Sequence, residues 1–306
     1  MTKFEIDEIL NMAIMTKTAH VLVEGIDDVA IYEELTRQSS STCEIFSIEM
    51  IDGFSGGCSF VKKAIEELTV LAGPIALEEF IVGIVDRDAS FYRKELAERP
   101  GLFILQNYSI ESHFISDETV RKIIQKTTKL PASHSATHLL PANACVSLIN
   151  ELYYFSLEAL KGAVDSTYNA EVGFSDSIGR RKDQFTMQKI MSKSASLDAF
   201  ASSLNLNMSI ECMRLFVKGK WLLTAFSEGL YNEIESLSSR CKKALIPQCK
   251  SCSANITAPC FYKAKDGYTH RTLYELAKDC IDNTELTYIR SMLASISLSA
   301  QTATIH

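Results

Sequence analysis

Short apolar runs alternate with amphipathic stretches over the first third of the chain. His20-Val21-Leu22-Val23 is a compact apolar run, and Phe80 to Val85 is a near-continuous one. Between them, Asp27 to Arg37 carries Val29, Tyr32 and Leu35 at helical spacing, and Ile45 to Ile51 reads as a strand. Ser59 to Leu71 puts Phe60, Ala64, Ile65, Leu68 and Leu71 on one helix face. Strands alternating with helices predict βαβ units, and a strand apolar throughout predicts a parallel sheet covered on both faces.

Further along, the periodicity turns helical. Helices are expected at about Asp117 to Lys126, Ala142 to Gly162, Leu197 to Leu204, Ile210 to Leu245 with a break near Gly219, and Tyr268 to Ile281. A last one, Glu285 to Ser297, aligns Leu286, Ile289, Met292 and Leu293. Leu130 to Pro141, with Pro131, His134 and His138, has the composition of a linker. The expected organisation is an α/β domain at 1–129, a linker at 130–141 and a mainly α-helical domain at 142–306.

Hydrophobic content of 46% with only 6 prolines in 306 residues implies a folded chain. No apolar run approaches ~20 residues and no charged-then-apolar leader opens the sequence, so neither a membrane span nor a signal peptide is expected, and the location expected is cytoplasmic. The formal charge of −7 is unevenly spread. Residues 1–116 hold 9 Lys+Arg against 20 Asp+Glu, a net of −11, whereas 240–271 hold seven basic residues against Asp266, a net of +6. The acidic part suits cations. The basic part, with Lys242, Lys243, Lys263 and Lys265 and with Phe261, Tyr262 and Tyr268 interleaved, suits phosphate and stacked bases, as do Arg180-Arg181-Lys182 and Arg214.

Acids cluster where strands end. Glu24 follows the first strand, and Asp86 and Asp88 follow the strand that closes at Val85, which is where open α/β sheets place their chemistry. Mg²⁺ or Mn²⁺ takes one or two carboxylates and keeps waters and phosphate oxygens, so Asp86 and Asp88 are the expected ligands, with Glu24 as a further ligand or proton carrier. The turn Asp52-Gly53-Phe54-Ser55-Gly56-Gly57-Cys58 offers backbone N–H groups to phosphate at Gly56 and Gly57, or serves only as a tight strand-to-helix connection.

Val23-Glu24-Gly25, Gly56-Gly57 and Val85-Asp86-Arg87-Asp88 together resemble the TOPRIM domain of topoisomerases, bacterial primases and overcoming-lysogenization-defect nucleases. Leu105 to Phe114, which contains Glu111, is similar to the bacterial DUF4435 group, and within that group the length and the helical C-terminal half most resemble the nuclease effectors of the PARIS anti-phage systems. The resemblance covers residues 18–115. It implies a TOPRIM-like, Rossmann-like sheet flanked by helices and a catalytic set of Glu24, Asp86, Asp88 and Glu111 using Mg²⁺ or Mn²⁺. It further implies an endonuclease, with tRNA favoured over DNA, that is toxic when released from an ABC/SMC-like ATPase partner and works as a homodimer. Two alternatives share these residues: a DNA nuclease, and an inert regulatory subunit that docks to the ATPase.

Two motifs lie outside that span. Cys249-Lys250-Ser251-Cys252 has structural-zinc spacing, and Cys260 with Cys241 or His270 would complete a tetrahedral Zn²⁺ site in a loop at 241–270. Val217-Lys218-Gly219-Lys220-Trp221 lacks the rest of a P-loop; a bent helix packing Trp221 is its simplest reading, with Lys218 or Lys220 as candidate phosphate contacts.

Overall fold

The computed structural model describes residues 3–96, 98–131, 140–146 and 149–303; most of the expected linker, including His134 and His138, lies outside the described residues. In chain order the elements are α1 (Ile6–Thr16), β1 (Ala19–Val23), α2 (Ile26–Gln38), β2 (Cys43–Ser47), α3 (Cys58–Ala72) and β3 (Ile81–Val85). A short α4 (Asp88–Tyr92) and β4 (Leu102–Ile104) follow, then α5 (Asp117–Thr127), α6 (Ile149–Val164), α7 (Gln184–Ser192) and α8 (Ser194–Ser203). The last helices are α9 (Ile210–Phe216), α10 (Gly219–Lys242), α11 (Lys250–Ser253), α12 (His270–Asp279) and α13 (Thr287–Thr302). None of the described helices is long and apolar enough to cross a membrane.

Two compact units share the chain: a sheet unit of Met1–Arg87, Lys94–Gln106 and Asn283–His306, and a helical unit of Asp88–Arg93 and Asn107–Asp282. The expected contiguous division at 1–129 and 142–306 is therefore redrawn. Residues 107–129 belong with the helices, and α13 returns to the sheet.

In the sheet unit all strands are parallel, in the order β2-β1-β3-β4. The chain steps outward from β1 to β2 through α2, then returns through α3 to place β3 on the other side of β1. Right-handed crossovers in opposite directions put their helices on opposite faces. Accordingly α1 and α3 pack together, while α2 packs with α13. The five residues of β1 and of β3 are all buried, which is why both read as unbroken apolar runs. Ser297 of α13 bonds both the N–H and the carbonyl of Thr42, at 2.9 and 3.1 Å, fixing that helix beside β2.

Three details depart from the sequence expectation. The strand expected to reach Ile51 ends at Ser47, whose side chain accepts from the Glu49 N–H and starts a 3₁₀ turn. On α3, Val61 is buried with Ala64, Ile65 and Leu68, whereas Leu71 is 50% exposed, because the buried stripe runs through Cys58, Val61 and Ala72. Helix α1 was not expected; its N-terminus is tied by the Glu8 carboxylate accepting from the Glu5 N–H at 2.8 Å.

The helical unit is built around α10, which buries Trp221, Leu222, Phe226, Leu230, Ile234 and Leu237 and packs on α9, α12 and the 3₁₀ turn Ile110–Phe114. The break expected near Gly219 separates α9 from α10. The helix expected from Ala142 begins as a 3₁₀ turn at Ala142–Cys145, and α6 starts at Ile149. Two buried charges hold this unit. Glu158, fully buried on α6, accepts from Lys193 Nζ (2.8 Å), the Tyr168 hydroxyl (2.6 Å) and the Glu171 N–H (2.8 Å). Arg181, 2% exposed, pairs with Glu228 of α10 at 3.0 Å.

Candidate functional site

Glu24 and Asp86 follow directly on β1 and β3, the two strands between which the winding direction reverses. That reversal opens a crevice at the carboxyl ends of the strands, the usual ligand position in open parallel sheets. The structure brings the two acids together: the Asp86 N–H donates to Glu24 Oε1 at 2.8 Å. A main-chain N–H on a carboxylate is a charge-assisted hydrogen bond that fixes its orientation.

A third group at this point was read from sequence only as a core residue. Tyr32, one face of α2, is 3% exposed, and its hydroxyl is raised well above the ordinary tyrosine value by burial and then by the carboxylates of Asp86, Asp28 and Glu24. The crevice thus concentrates negative potential against a phenol that stays protonated.

The glycine turn serves the same crevice in a way its composition did not fix. Gly57, at φ +116°, donates its N–H to the Glu24 carbonyl at 3.0 Å, and Gly56 lies beside the Glu49 carboxylate. The expectation that Gly56 and Gly57 present amides to phosphate is corrected at Gly57, whose amide braces the end of β1. A residue with a β-carbon is strained at that φ, so the brace requires glycine.

Asp88 and Glu111 lie in the helical unit. Asp88 opens α4 with φ +30°, its N–H bonded to the Tyr108 carbonyl (3.1 Å) and its carboxylate accepting from the Ser90 N–H. Glu111 sits in the 3₁₀ turn Ile110–Phe114 and accepts from Ser109 Oγ at 2.5 Å. The Gly-Lys motif meets it there. A β-carbon on Gly219 would overlap Ser109 Oγ and stand 3.0 Å from Glu111 Oε2, so only glycine lets the start of α10 approach this closely. Lys218 donates to the Phe174 carbonyl at 2.7 Å; burial, then Lys220, lowers its pKa, and Glu111 opposes the shift. Lys218 therefore anchors a loop, while Lys220 is exposed. Trp221 is buried against Phe155 and Phe174, as the bent-helix reading requires.

The remaining basic candidates divide. Lys242, Lys243, Lys263 and Lys265 are exposed, and Lys265 Nζ donates to the Lys126 carbonyl at 2.6 Å. Arg181 and Lys182 instead pair with Glu228, and Arg214 Nε donates to the Ser112 carbonyl. Tyr262, expected as a stacking surface, is 1% exposed and donates to the Pro247 carbonyl. His113 is buried and bonded to Asn107, in keeping with a structural histidine.

A second cluster is complete in itself. The sulfurs of Cys241, Cys249, Cys252 and Cys260 all lie within 4.8 Å of one another, and such a group could hold a metal ion. Cys241, at the end of α10, is the fourth member; His270 is exposed at the start of α12, which removes it from the expected set. Cys249 and Cys260 sulfurs stand 3.8 Å apart, far beyond a disulfide of about 2.05 Å. Two thiolates about 2.3 Å from one tetrahedral ion would be separated by about 3.8 Å. Main-chain N–H groups point at the sulfurs, Cys249 to Cys241 at 3.3 Å and Phe261 to Cys249 at 3.4 Å. Burial opposes ionisation of Cys249, but the N–H groups of Phe261 and Cys252 together with the Cys252 and Cys260 thiols outweigh it and bring that thiol down to about 7. Burial also pushes the Tyr262 phenol beneath the cluster up to about 12.

No family model matches the chain, and no curated protein matches it.

Proposed function

We propose that the chain is a phosphodiesterase dependent on Mg²⁺ or Mn²⁺, a TOPRIM-type endonuclease, with RNA and tRNA in particular as its substrate. One observation carries this reading: Glu24 and Asp86, linked through the Asp86 N–H, occupy the carboxyl ends of the two strands flanking the reversal of winding. The likeness of the motifs assigns Asp86 and Asp88 to the cation, Glu24 to the cation or to the proton of the attacking water, and Glu111 to the remaining acid role. The cation, when bound, neutralises phosphate oxygens and acidifies its water. Exposed Lys242, Lys243, Lys263 and Lys265 suit the sugar–phosphate backbone. The likeness of the acid motifs to the TOPRIM group supplies the choice of RNA and the roles of defence effector and ATPase-held toxin. The four-cysteine cluster is a structural Zn²⁺ site in the same reading, supported by its all-sulfur donors and the N–H groups aimed at them.

The test is cleavage of total tRNA beside supercoiled plasmid, with Mg²⁺ or Mn²⁺ and with EDTA. Wild-type protein cuts tRNA only with the metal, and Glu24→Ala cuts at least about a hundredfold more slowly at unchanged thermal stability. Equal cutting by Glu24→Ala removes the assignment, and cutting of plasmid alone transfers it to DNA.

A further inference from the structure

Asp88 has a second setting, independent of the crevice. It lies on the wall of a groove of about 630 Å³ contained within the helical unit, a volume in the range of small-ligand sites. Ala159, Gly162 and Ala163 on α6 leave the space, and the segment 168–176 forms the opposite rim. That rim is held by the buried Glu158, which bonds the Tyr168 hydroxyl and the Glu171 N–H. Tyr168, Phe174, Arg93 and Arg180 are among its lining residues; the Phe174 ring packs on Tyr108 and Trp221, Lys161 and Lys193 lie over the Tyr168 ring, and Arg93 donates to the Ala163 carbonyl and to Ser90 Oγ. Its other acids are matched by cations, Glu171 by Lys189 and Lys193 and Asp176 by Arg180. The Arg180 pair uses Nη1, which leaves the Nε and Nη2 donors of the fork for a ligand.

We propose that this groove seats one nucleotide of the bound strand, the residue adjoining the phosphate that Asp88 addresses. This rests on the phosphodiesterase reading above. A nucleotide is the ligand whose parts match the walls. Its phosphate suits the Arg180 guanidinium, and its base suits the small apolar surface of α6 beside Tyr168 and Phe174.

The experiment is fluorescence polarisation of the full chain with 5′-labelled single-stranded pentanucleotides, ribo and deoxyribo, with Ca²⁺ replacing Mg²⁺ to hold cleavage off. Ala163→Phe fills the groove and Arg180→Glu reverses its charge; each is expected to weaken binding about tenfold or more, with melting unchanged. The tighter of the two oligomers identifies RNA or DNA as the strand. No binding by wild type, or binding within about twofold of wild type in both variants, overturns the groove. Cleavage by wild type is scored separately. Cutting with unmoved binding discards the groove and keeps the phosphodiesterase reading, whereas groove-dependent binding without cutting by wild type keeps the groove and discards that reading.

Discussion

The sheet unit and the helical unit position their polar groups by different means. Around Glu24 the main chain makes two of the bonds, the Asp86 N–H on the carboxylate and the Gly57 N–H on the carbonyl. In the helical unit main-chain N–H groups also reach Glu158 and the thiols, but side chains far apart in sequence join them, Arg181 with Glu228, Glu158 with Tyr168 and Lys193, and the thiols of Cys241 and Cys260 across nineteen residues. A carboxylate fixed by the backbone can be removed while the backbone stays. A buried charge fixed by another side chain cannot lose its partner without leaving an uncompensated charge. Substitutions in the first unit should therefore act on chemistry, and those in the second on stability.

The largest effect that could break this contrast is at the thiols. Cys249→Ser is expected to lower zinc content from about one ion per chain to near none and to cost on the order of 5 kcal/mol, because metal binding is coupled to folding of its loop. Elemental analysis and denaturant melts report both; a variant that melts like wild type ends the structural role. Next comes Glu228→Ala, which strands Arg181 and should destabilise by about 3 kcal/mol, against less than about 1 for Glu24→Ala in the same urea titration. Gly219→Ala sharpens the comparison further. Its β-carbon displaces Ser109 and Glu111, so a loss of about 1–2 kcal/mol is expected together with weakened cleavage, whereas a stable and active variant would detach Glu111 from the start of α10.

The smallest effect is in pH. Although burial opposes it, the nearby Lys182 and then Arg181 hold the Glu228 carboxyl below its ordinary 4.5. The unfolded chain then binds more protons near that value, so this contribution is present above pH 4.5 and is lost as pH falls through the lowered pKa. Glu228→Gln should flatten that part of the stability profile, and an unaltered slope would assign acid lability to other groups.

The same contrast explains what was legible in the sequence. Glu24 and Asp86 could be read because a buried parallel strand is an apolar run, and the first acid after it marks its carboxyl end. The doubly wound sheet followed from the same runs. Tyr32 gave no functional signal because the carboxylates around it arrive from separate strands and its own helix end, while its spacing says only that it is buried. Cys241 and His270 were equivalent by spacing; the choice depended on where α10 ends. The basic triplet Arg180-Arg181-Lys182 looked like one surface patch, yet Arg181 turns inward to an acid forty-seven residues on. The return of α13 to the sheet had no local signature, since an amphipathic helix does not say which layer it covers.

That return has a consequence for biosynthesis. The chain leaves the sheet unit at Gln106 and comes back at Asn283, and α13 then packs on α2 and β1. A nascent chain emerging from the ribosome with β1 to β4 already made lacks part of the cover on the α2 face of its sheet until about 180 further residues have been added. For a protein whose acids are proposed to cut RNA, a helix translated long after the strands is also one that completes the scaffold on which Glu24 and Asp86 sit.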